Sequence, residues 1–338
     1  MTKQQIKQLL SNGSFPERSH LKELIETHIS WVILCDEFVY KIKRPVHYPF
    51  LNFSTLELRE YYCKREIELN RRFSENIYLG VLPIFLLNGN YAIGGRNCRV
   101  VDYAIKMRKL DPHKQMDILL SEKTVNSTDI KNLAVCIVSF HKKTKLIYDK
   151  NVLDLKNEFS ELETQKEFLT ENLGKGIDKL IDTCIETSNN FLNKNHELLQ
   201  LRLKSGFFRD CHGDLHTGNI FFLPAPQPFD CIEFNDNYRQ IDVLNEVAFL
   251  CMDLDASNRE DLSALFVSHY NFLFPVMRNI SEQQLFIYYK SYRANVRAKV
   301  NSLRASSSSE KSSKRKALVE AKKYLKLIKS YHNELVSF

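Results

Sequence analysis

With 338 residues, 43% of them hydrophobic, and a net charge of +7, the chain can bury one large core or two small ones, and its longest apolar stretches are far too short to cross a bilayer. The polar N-terminus, Met1 to Gln5, lacks the apolar run of a signal peptide, and the eight cysteines lie too far apart for a Cys-x-x-Cys metal site or a compact disulfide framework. These features predict a cytoplasmic protein with reduced cysteines and no membrane partner.

Two β-strands are predicted near the N-terminus, from Trp31 to Cys35 and from Phe38 to Lys43. The second strand alternates along its length until Pro45 ends it. Lys41 and Lys43 share one face of this strand, and the opposite face carries aromatic and aliphatic side chains.

A helix is predicted from Thr55 to Phe73, with Ser54 or Thr55 as its N-cap. Glu66 lies in the middle of the face that carries its apolar residues, which are Leu58, Tyr62, Leu69 and Phe73. Because an unpaired carboxylate that faces a core costs several kcal/mol, Glu66 requires a cation opposite it. Lys41 is the predicted partner, and Lys43 is the alternative.

The next predicted elements complete a β-rich first part and begin a mostly helical second part. Further strands are predicted at 81–87, 91–93 and 100–107, and residues 108–111 before Pro112 form a link. Predicted helices follow at 114–121, 127–145, 152–173, 176–203 and 243–254, with several more after residue 257. This order predicts an α+β protein with one domain at 1–107 and a second at 108–338.

The segment from Cys211 to Phe222, with the sequence CHGDLHTGNIFF, places Asp214 and Asn219 five residues apart in a tight loop before an apolar strand. Phosphoryl transfer requires this combination, since a carboxylate accepts the proton of an attacking hydroxyl and an amide oxygen helps to hold Mg²⁺. The same spacing, with a histidine two residues before the aspartate, occurs in the kinase catalytic loop, and His212 occupies that place.

A second acid that could hold Mg²⁺ is expected on the strand after this loop. The run from Pro228 to Asn235 offers Asp230 and Glu233, and both supply the hard oxygen ligands that Mg²⁺ prefers. The sequence does not decide between them. Farther along, Asp242 and Glu246 are expected to brace the loop.

The arrangement HGDLHTGN, with glycine where protein kinases carry arginine, resembles the aminoglycoside phosphotransferase and choline kinase-like superfamily. The segments Val39 to Val46 and Phe229 to Phe234 look like a bacterial group of aminoglycoside phosphotransferase-family proteins, which often carry a second, P-loop kinase domain. This chain contains no Gly-x-x-x-x-Gly-Lys-Ser/Thr segment, so that second domain is not expected here.

The resemblance implies a two-lobed protein kinase-like fold and ATP- and Mg²⁺-dependent transfer of the γ-phosphate to a hydroxyl group of a small molecule. It implies that Asp214 is the catalytic residue and that Asn219, with Asp230 or Glu233, binds the metal. The residues implied for nucleotide binding are Lys41, Glu66, Met107 and Leu110. Kinases that cover the phosphates with a glycine-rich loop place it between the first two strands, whereas members of this superfamily often have a turn without glycine there. The segment from Thr27 to Glu37 contains no glycine, so phosphate-covering groups are sought near Thr27 to Ser30.

Two other classes stay open at this point. A nucleotide-binding pseudokinase would share these motifs without turnover. A metallophosphoesterase could use Gly213-Asp214-Leu215-His216, but only Asp111-Pro112-His113 offers the upstream ligands and the downstream pattern is missing. Acids that could line a pocket for a cationic acceptor are Asp236, Asp253, Asp255 and Glu260.

The excess positive charge is concentrated in residues 292–338 and especially in a helix predicted from Lys316 to Leu335, after the serine-rich stretch from Ala305 to Ser313. An apolar stripe on this helix is expected to pack on the body, and its lysines are expected to face solvent. A surface for nucleic acid or anionic lipid is the alternative, with Tyr324 and Tyr331 interleaved among the charges. Because only these two tyrosines lie among the charges, nucleic acid is not an expected partner.

Overall fold

The structure is a computed structural model that describes residues 1–74, 76–95 and 99–337, so the prediction of a reduced thiol at Cys98 falls outside the described residues. The strands are β1 (Glu23–Glu26), β2 (Ser30–Leu34), β3 (Phe38–Lys43), β4 (His47–Tyr48), β5 (Leu51–Asn52), β6 (Tyr78–Leu87), β7 (Asn90–Ile93), β8 (Val100–Arg108), β9 (Phe208–Asp210), β10 (Ile220–Leu223), β11 (Ala225–Pro228) and β12 (Gln240–Asp242). The α-helices are α1 (Lys3–Asn12), α2 (Leu56–Asn70), α3 (Met116–Ser121), α4 (Ser127–Lys143), α5 (Asp154–Ser160), α6 (Lys166–Leu173), α7 (Ile177–Lys194), α8 (His196–Lys204), α9 (Asp236–Arg239), α10 (Val243–Ala256), α11 (Glu260–Leu273), α12 (Ile280–Ser307) and α13 (Lys311–Val336).

These elements form two compact units. The first contains Met1–Ile118 and Asn219–Arg239, and the second contains Leu119–Gly218 and the chain from Gln240 onward. The units do not follow the predicted division at residue 107, because the hairpin of β10 and β11 joins the first unit although it lies late in the chain. The division into functional lobes stays a prediction.

The first unit is built on one antiparallel sheet with the strand order β1-β2-β3-β8-β6-β7. Tyr40 and Ile42 of β3 are buried on one face of the sheet, in a core shared with Trp31 and Ile33 of β2. On the other face, α2 packs against β6 and β8. Lys41 and Lys43 alternate with the buried apolar residues, so both point to the face that carries α2.

Helix α2 begins as predicted, with the Thr55 hydroxyl accepting a hydrogen bond from the N–H of Leu58, but it ends at Asn70 rather than Phe73. The predicted buried face was wrong in part. The residues that α2 buries are Arg59, Cys63, Glu66, Ile67, Leu69 and Asn70. The physical reason is that Arg59 is paired with the buried Asp102 at 2.8 Å, so charged residues enter the core as pairs and no continuous apolar stripe is needed.

The second unit is mostly helical and surrounds α10, whose fourteen residues are all buried. The predicted helix at 176–203 is two helices, α7 and α8, separated at Asn195, and the predicted helix at 152–173 is α5 and α6 joined by a 3₁₀ turn. Helix α12 continues through Ala305, so the predicted serine-rich connection shortens to Ser308–Glu310.

Among the described helices, none combines the length and the apolar character that a membrane span requires. The seven cysteines of the described residues are thiols rather than disulfides, as predicted. Burial raises the pKa of the Cys63 and Cys251 thiols to about 12, so these two side chains are apolar core groups.

Candidate active site

In the first unit, Lys41 lies between two carboxylates. Its Nζ is 2.7 Å from Asp230 Oδ1 and 2.8 Å from Glu66 Oε1. The contact with Asp230 is a hydrogen bond. The contact with Glu66 is an ion pair without a hydrogen bond. The predicted ion pair between Lys41 and Glu66 is therefore confirmed.

Lys43 makes a second set of contacts to the same cluster. Its Nζ donates to Glu66 Oε2 at 2.6 Å and also to Glu233 Oε1. The Lys43 side chain is 1% exposed, against 16% for Lys41. Glu66 thus holds both lysines, and the cluster contains two cations and three carboxylates.

The pKa values of the acids in this cluster shift in different directions. Burial alone would raise the pKa of Glu66, but Lys41 and Lys43 outweigh it and lower the pKa to about 2. For Glu233, burial and the charge of Glu66 outweigh Lys43 and raise the pKa. Burial alone would lower the pKa of Lys41, yet the surrounding carboxylates raise it well above its usual value. The cluster favours charge on both lysines and on Glu66 more than on Glu233.

Asp230 and Glu233, between which the sequence does not decide, lie in different surroundings. The Asp230 side chain is 43% exposed, whereas that of Glu233 is 5% exposed. Asp230 also has a φ of +62°, in the left-handed region that residues other than glycine rarely adopt. Its N–H donates to the hydroxyl of Tyr78 at 3.1 Å, which helps to hold this backbone conformation.

A partly open apolar cluster lies in the same unit. Its buried members include Tyr78, Ile105 and Met107, and the side chains packed against them at its margin include Val39, Leu110, Leu223 and Phe229. Sequence reasoning named Met107 and Leu110 but missed Leu223 and Phe229. The signal for those two was the hairpin itself, because a short strand pair directly after the loop must bury one face somewhere.

Asn219 begins this hairpin and is buried, and its carbonyl oxygen accepts a hydrogen bond from the N–H of Phe229 at 3.1 Å. This bond joins the end of the loop to the residue just before Asp230. The described contacts therefore bring Lys41, Glu66, Asp230 and Glu233 together, and Asn219 lies in the same unit.

Asp214 belongs to the second unit, where its loop is held by Glu246 of α10. Glu246 Oε1 accepts hydrogen bonds from the N–H groups of His212 and Gly213 at 2.7 and 2.6 Å. Its Oε2 is 2.6 Å from His141 Nε2, and His141 Nδ1 is 2.6 Å from the hydroxyl of Tyr270. The predicted bracing role of Glu246 is confirmed. His212 is fully buried and its Nδ1 accepts from the N–H of Asp214 at 3.3 Å, as expected for a structural histidine.

His141, Cys211 and Glu246 are also a buried group of potential metal ligands, with their ligand atoms within 4.8 Å of one another. Both nitrogens of His141 and both oxygens of Glu246 are already bonded within the protein. The group therefore supports the loop as a hydrogen-bond network. Asp242 is used elsewhere: it caps α10 and pairs with Arg202 at 2.6 Å.

The other end of the loop is held by Asp253. Its Oδ2 accepts from both the N–H and the hydroxyl of Thr217, at 3.0 and 2.5 Å, and its Oδ1 accepts from the hydroxyl of Tyr324 on α13 at 3.0 Å. Asp255 is likewise bound, by the hydroxyl of Tyr331 and by Lys290, both at 2.6 Å. The suggestion that Asp253 and Asp255 are open acids for a cationic acceptor was wrong, because both are buried and paired. Tyr324 and Tyr331 are likewise buried rather than interleaved with surface charge.

The Asp214 side chain is 37% exposed, and His216 Nε2 is 3.6 Å from its Oδ2. Burial alone would raise the pKa of Asp214, but His216 and Arg297 lower it well below its usual range. Asp214 is therefore an ionised carboxylate that water or a substrate can reach.

Comparisons with known proteins support the architecture. No protein-family model matches the chain. Uncharacterized proteins of Mycobacterium tuberculosis and Mycobacterium bovis are each 28% identical over 289 residues, which is 83% of this chain and 55% of theirs, so the chain spans about half the length of these relatives. A choline/ethanolamine kinase family protein from Mesorhizobium loti superposes with a TM-score of 0.53 and 11% identity, over 94% of this chain and 92% of that one. The chain has a kinase-like fold.

A choline kinase from Cryptosporidium parvum agrees, with a TM-score of 0.51 and 11% identity over 94% of this chain and 88% of that chain. The predicted fold class is confirmed: a kinase-like α+β fold with an antiparallel sheet in the N-terminal part and mostly helices after it.

Proposed function

We propose that this protein is an ATP- and Mg²⁺-dependent phosphotransferase that moves the γ-phosphate to a hydroxyl group of a small molecule. The observation that carries the proposal is the position of Lys41, which contacts both Glu66 of α2 and the half-exposed Asp230. Phosphoryl transfer in the kinase fold depends on a lysine held by a helix acid and on a separate acid for the metal. Two kinases with this fold, a choline/ethanolamine kinase family protein and a choline kinase, agree with that reaction class.

We assign nucleotide binding to Lys41 rather than Lys43. Lys41 is the more exposed of the two, and a ligand phosphate can replace Asp230 as its partner. Lys43 is buried and forms ion pairs with Glu66 and Glu233, so it fixes the position of Glu66. The adenine would occupy the apolar cluster between Val39 and Leu223.

We propose that a main-chain group of the link after β8, residues 108–111, contacts the edge of the adenine. The N–H groups of Arg108 and Lys109 already donate to the carbonyls of Ile77 and Glu37, and Met107 is paired with Val39 in the sheet. We therefore assign the main-chain contact with adenine to Leu110.

The residues present fit a Mg²⁺ ion. Asp230 supplies an accessible carboxylate and Asn219 an amide oxygen, which are the hard oxygen ligands that Mg²⁺ prefers. Glu233 is the weaker candidate, since Lys43 binds its carboxylate and little of it is exposed. Mg²⁺ would neutralise charge on the transferring phosphates.

Asp214 would orient the acceptor hydroxyl and receive its proton. The hydroxyl oxygen forms the new bond to the γ-phosphorus, the bond from that phosphorus to the bridging oxygen breaks, and ADP leaves with the electron pair. A carboxylate with a lowered pKa is a weak base, so proton transfer follows bond breaking late in the reaction, as a loose transition state requires.

The test is ADP formation from Mg²⁺-ATP against a pooled library of hydroxyl compounds, with Asp214→Asn compared with the wild type. We expect acceptor-dependent ADP formation that falls by at least about 100-fold in this variant. Lys41→Met should raise the KM for ATP, whereas the exposed control Lys64→Met should not.

Other outcomes would contradict the proposal. Mg²⁺-ATP binding without turnover against any acceptor would indicate a nucleotide-binding pseudokinase. Release of phosphate from esters with Mn²⁺ and without ATP would indicate a metallophosphoesterase.

A further inference from the structure

Helix α12 carries a row of arginines beside the loop of Asp214. Arg293, Arg297 and Arg304 are spaced by four and seven residues, so they lie along one face of the helix. Arg293 is fully engaged in structure: its Nη1 donates to the carbonyl of Gly213 at 3.2 Å and its Nε donates to Asn245 Oδ1 at 2.7 Å. The other two arginines are not used in this way.

Arg297 faces the loop, and one of its donors is unsatisfied. Its Nη1 is 3.4 Å from His216 Nε2. His216 Nδ1 accepts a hydrogen bond from the N–H of Gly218, so the ring proton belongs on Nε2 and the contact with Arg297 brings two donors together. The Nε of Arg297 is buried and has no hydrogen-bond partner in the part of the chain that the structure describes. A buried donor without an acceptor is unfavourable, and a bound anion would remove this penalty.

Arg304 extends the same row towards solvent. Across residues 1–74, 76–95 and 99–337 its guanidinium group has neither an ion pair nor a hydrogen bond. Partial burial and then the like charge of Arg297 lower the pKa of Arg304, whereas Asp214 opposes them. The charge of Asp214 thus acts on the pKa of both Arg297 and Arg304.

Asp253 is a nearby carboxylate whose charge raises the pKa of Arg297, so it offsets part of the positive charge of that arginine. Asp253 accepts hydrogen bonds from Thr217 and Tyr324 with both of its oxygens. Arg304 has no such partner in the described residues, so its charge is an excess positive charge near Asp214, which disfavours an acceptor that carries ammonium groups.

We propose that the acceptor is a small anionic hydroxyl compound, whose carboxylate or phosphate group is bound by Arg297 and Arg304 while its hydroxyl group lies at Asp214. The distances suit one small molecule, because steps of 3.6 and 3.4 Å lead from Asp214 Oδ2 through His216 Nε2 to Arg297 Nη1. Guanidinium groups bind carboxylate and phosphate in a forked geometry, so two of them give both affinity and orientation. This inference rests on the proposed phosphotransferase function.

The first experiment compares pools of hydroxyl compounds in the Mg²⁺-ATP assay. One pool contains hydroxy carboxylates, a second contains phosphorylated sugars and polyols, a third contains neutral sugars and polyols, and a fourth contains amino alcohols and aminoglycosides. We expect turnover with the first or the second pool, and the comparison of those two identifies the anion. Equal or faster turnover with the third or fourth pool would overturn the inference while the phosphotransferase function stands. No turnover with any pool would instead count against the proposed function.

The second experiment uses Arg304→Gln, an exposed site at which folding should not be affected. We expect the KM for the anionic acceptor to rise by roughly 10- to 100-fold, with kcat and the KM for ATP little changed. Arg315→Gln, at an exposed arginine of α13, is the matched control and should leave the acceptor KM unchanged. An unchanged acceptor KM in Arg304→Gln would overturn the inference.

Discussion

Replacing Glu66 by glutamine should destabilise this protein much more than the same change at Glu233. Both substitutions remove one negative charge and keep the shape of the side chain. Glu66 contacts Lys41 at 2.8 Å and Lys43 at 2.6 Å, so its loss leaves two buried ammonium groups short of a partner. Glu233 contacts Lys43, which keeps Glu66 as its second partner in the variant.

The size of the effect follows from the pKa values. The pKa of Glu66 falls from 4.5 to about 2, which corresponds to roughly 3 kcal/mol of stabilisation of its charged form. This agrees with the 3–5 kcal/mol that breaking a buried ion pair typically costs. The raised pKa of Glu233 means that its surroundings disfavour its charge, so Glu233→Gln should cost less than about 1 kcal/mol.

Thermal unfolding at pH 7, followed by circular dichroism, measures the difference. With about 2.1 cal/mol/K of unfolding entropy per residue, a loss of 3 kcal/mol lowers the Tm of the whole chain by about 4 °C. Because the folded-state pKa of Glu66 is below its unfolded value, its contribution is complete above pH 4.5 and disappears as the pH falls through about 2. The reasoning is refuted if Glu66→Gln unfolds within about 1 °C of the wild type, or if Glu233→Gln is equally damaging.

Three further predictions concern the loop of Asp214. Tyr324→Phe removes the hydroxyl that binds Asp253, so we expect kcat to fall by roughly 3- to 10-fold, measured under saturating substrates. Glu246→Ala leaves two buried N–H groups without an acceptor, and it should cost about 2–5 kcal/mol in thermal unfolding and lower kcat at least 100-fold. Arg297→Met removes a charge that lowers the pKa of Asp214, so the acidic limb of the kcat/KM pH profile should move to higher pH.

The first two of these predictions have a control variant. Tyr148→Phe changes an exposed tyrosine and should leave kcat unaltered, as should Glu334→Ala on the exposed face of α13. Wild-type kcat in Tyr324→Phe would show that α13 does not support the loop. An acidic limb that stays in place in Arg297→Met would show that the arginine does not act on Asp214.

The strands of the sheet could largely be predicted from alternation: β3 has the predicted bounds from Phe38 to Lys43, and β8 ends one residue later than expected. The pair of Lys41 with Glu66 was predictable because a buried acid requires a cation. The sequence left open whether Lys41 or Lys43 binds Glu66, because both lysines share a strand face. The structure shows that both bind, each to a different oxygen of Glu66. A local sequence pattern shows that a buried acid needs a cationic partner, but it does not show how many partners that acid has.

The buried face of α2 and the roles of Asp253 and Asp255 could not be predicted in the same way, because their partners lie far away in the chain. Arg59 is 43 residues from Asp102, and Tyr324 is 71 residues from Asp253. A weak signal did exist for the tyrosines of α13. Tyr324 and Tyr331 are seven residues apart, on the same helical face as the buried Ala321 and Ile328, and this spacing indicates burial rather than contact with a charged ligand.

The loop of Asp214 shows why the buried contacts matter for chemistry. Its backbone is fixed at both ends by acids of one wholly buried helix, with Glu246 binding the N–H groups before Asp214 and Asp253 binding Thr217 after it. The carboxylate of Asp214 itself stays accessible within this frame. A reacting group that is held by its backbone and left open at its oxygens needs little reorganisation when charge moves in the reaction. The buried, paired acids of α10 therefore keep Asp214 in one position. Variants of those acids should lower kcat even though neither acid contacts the substrate.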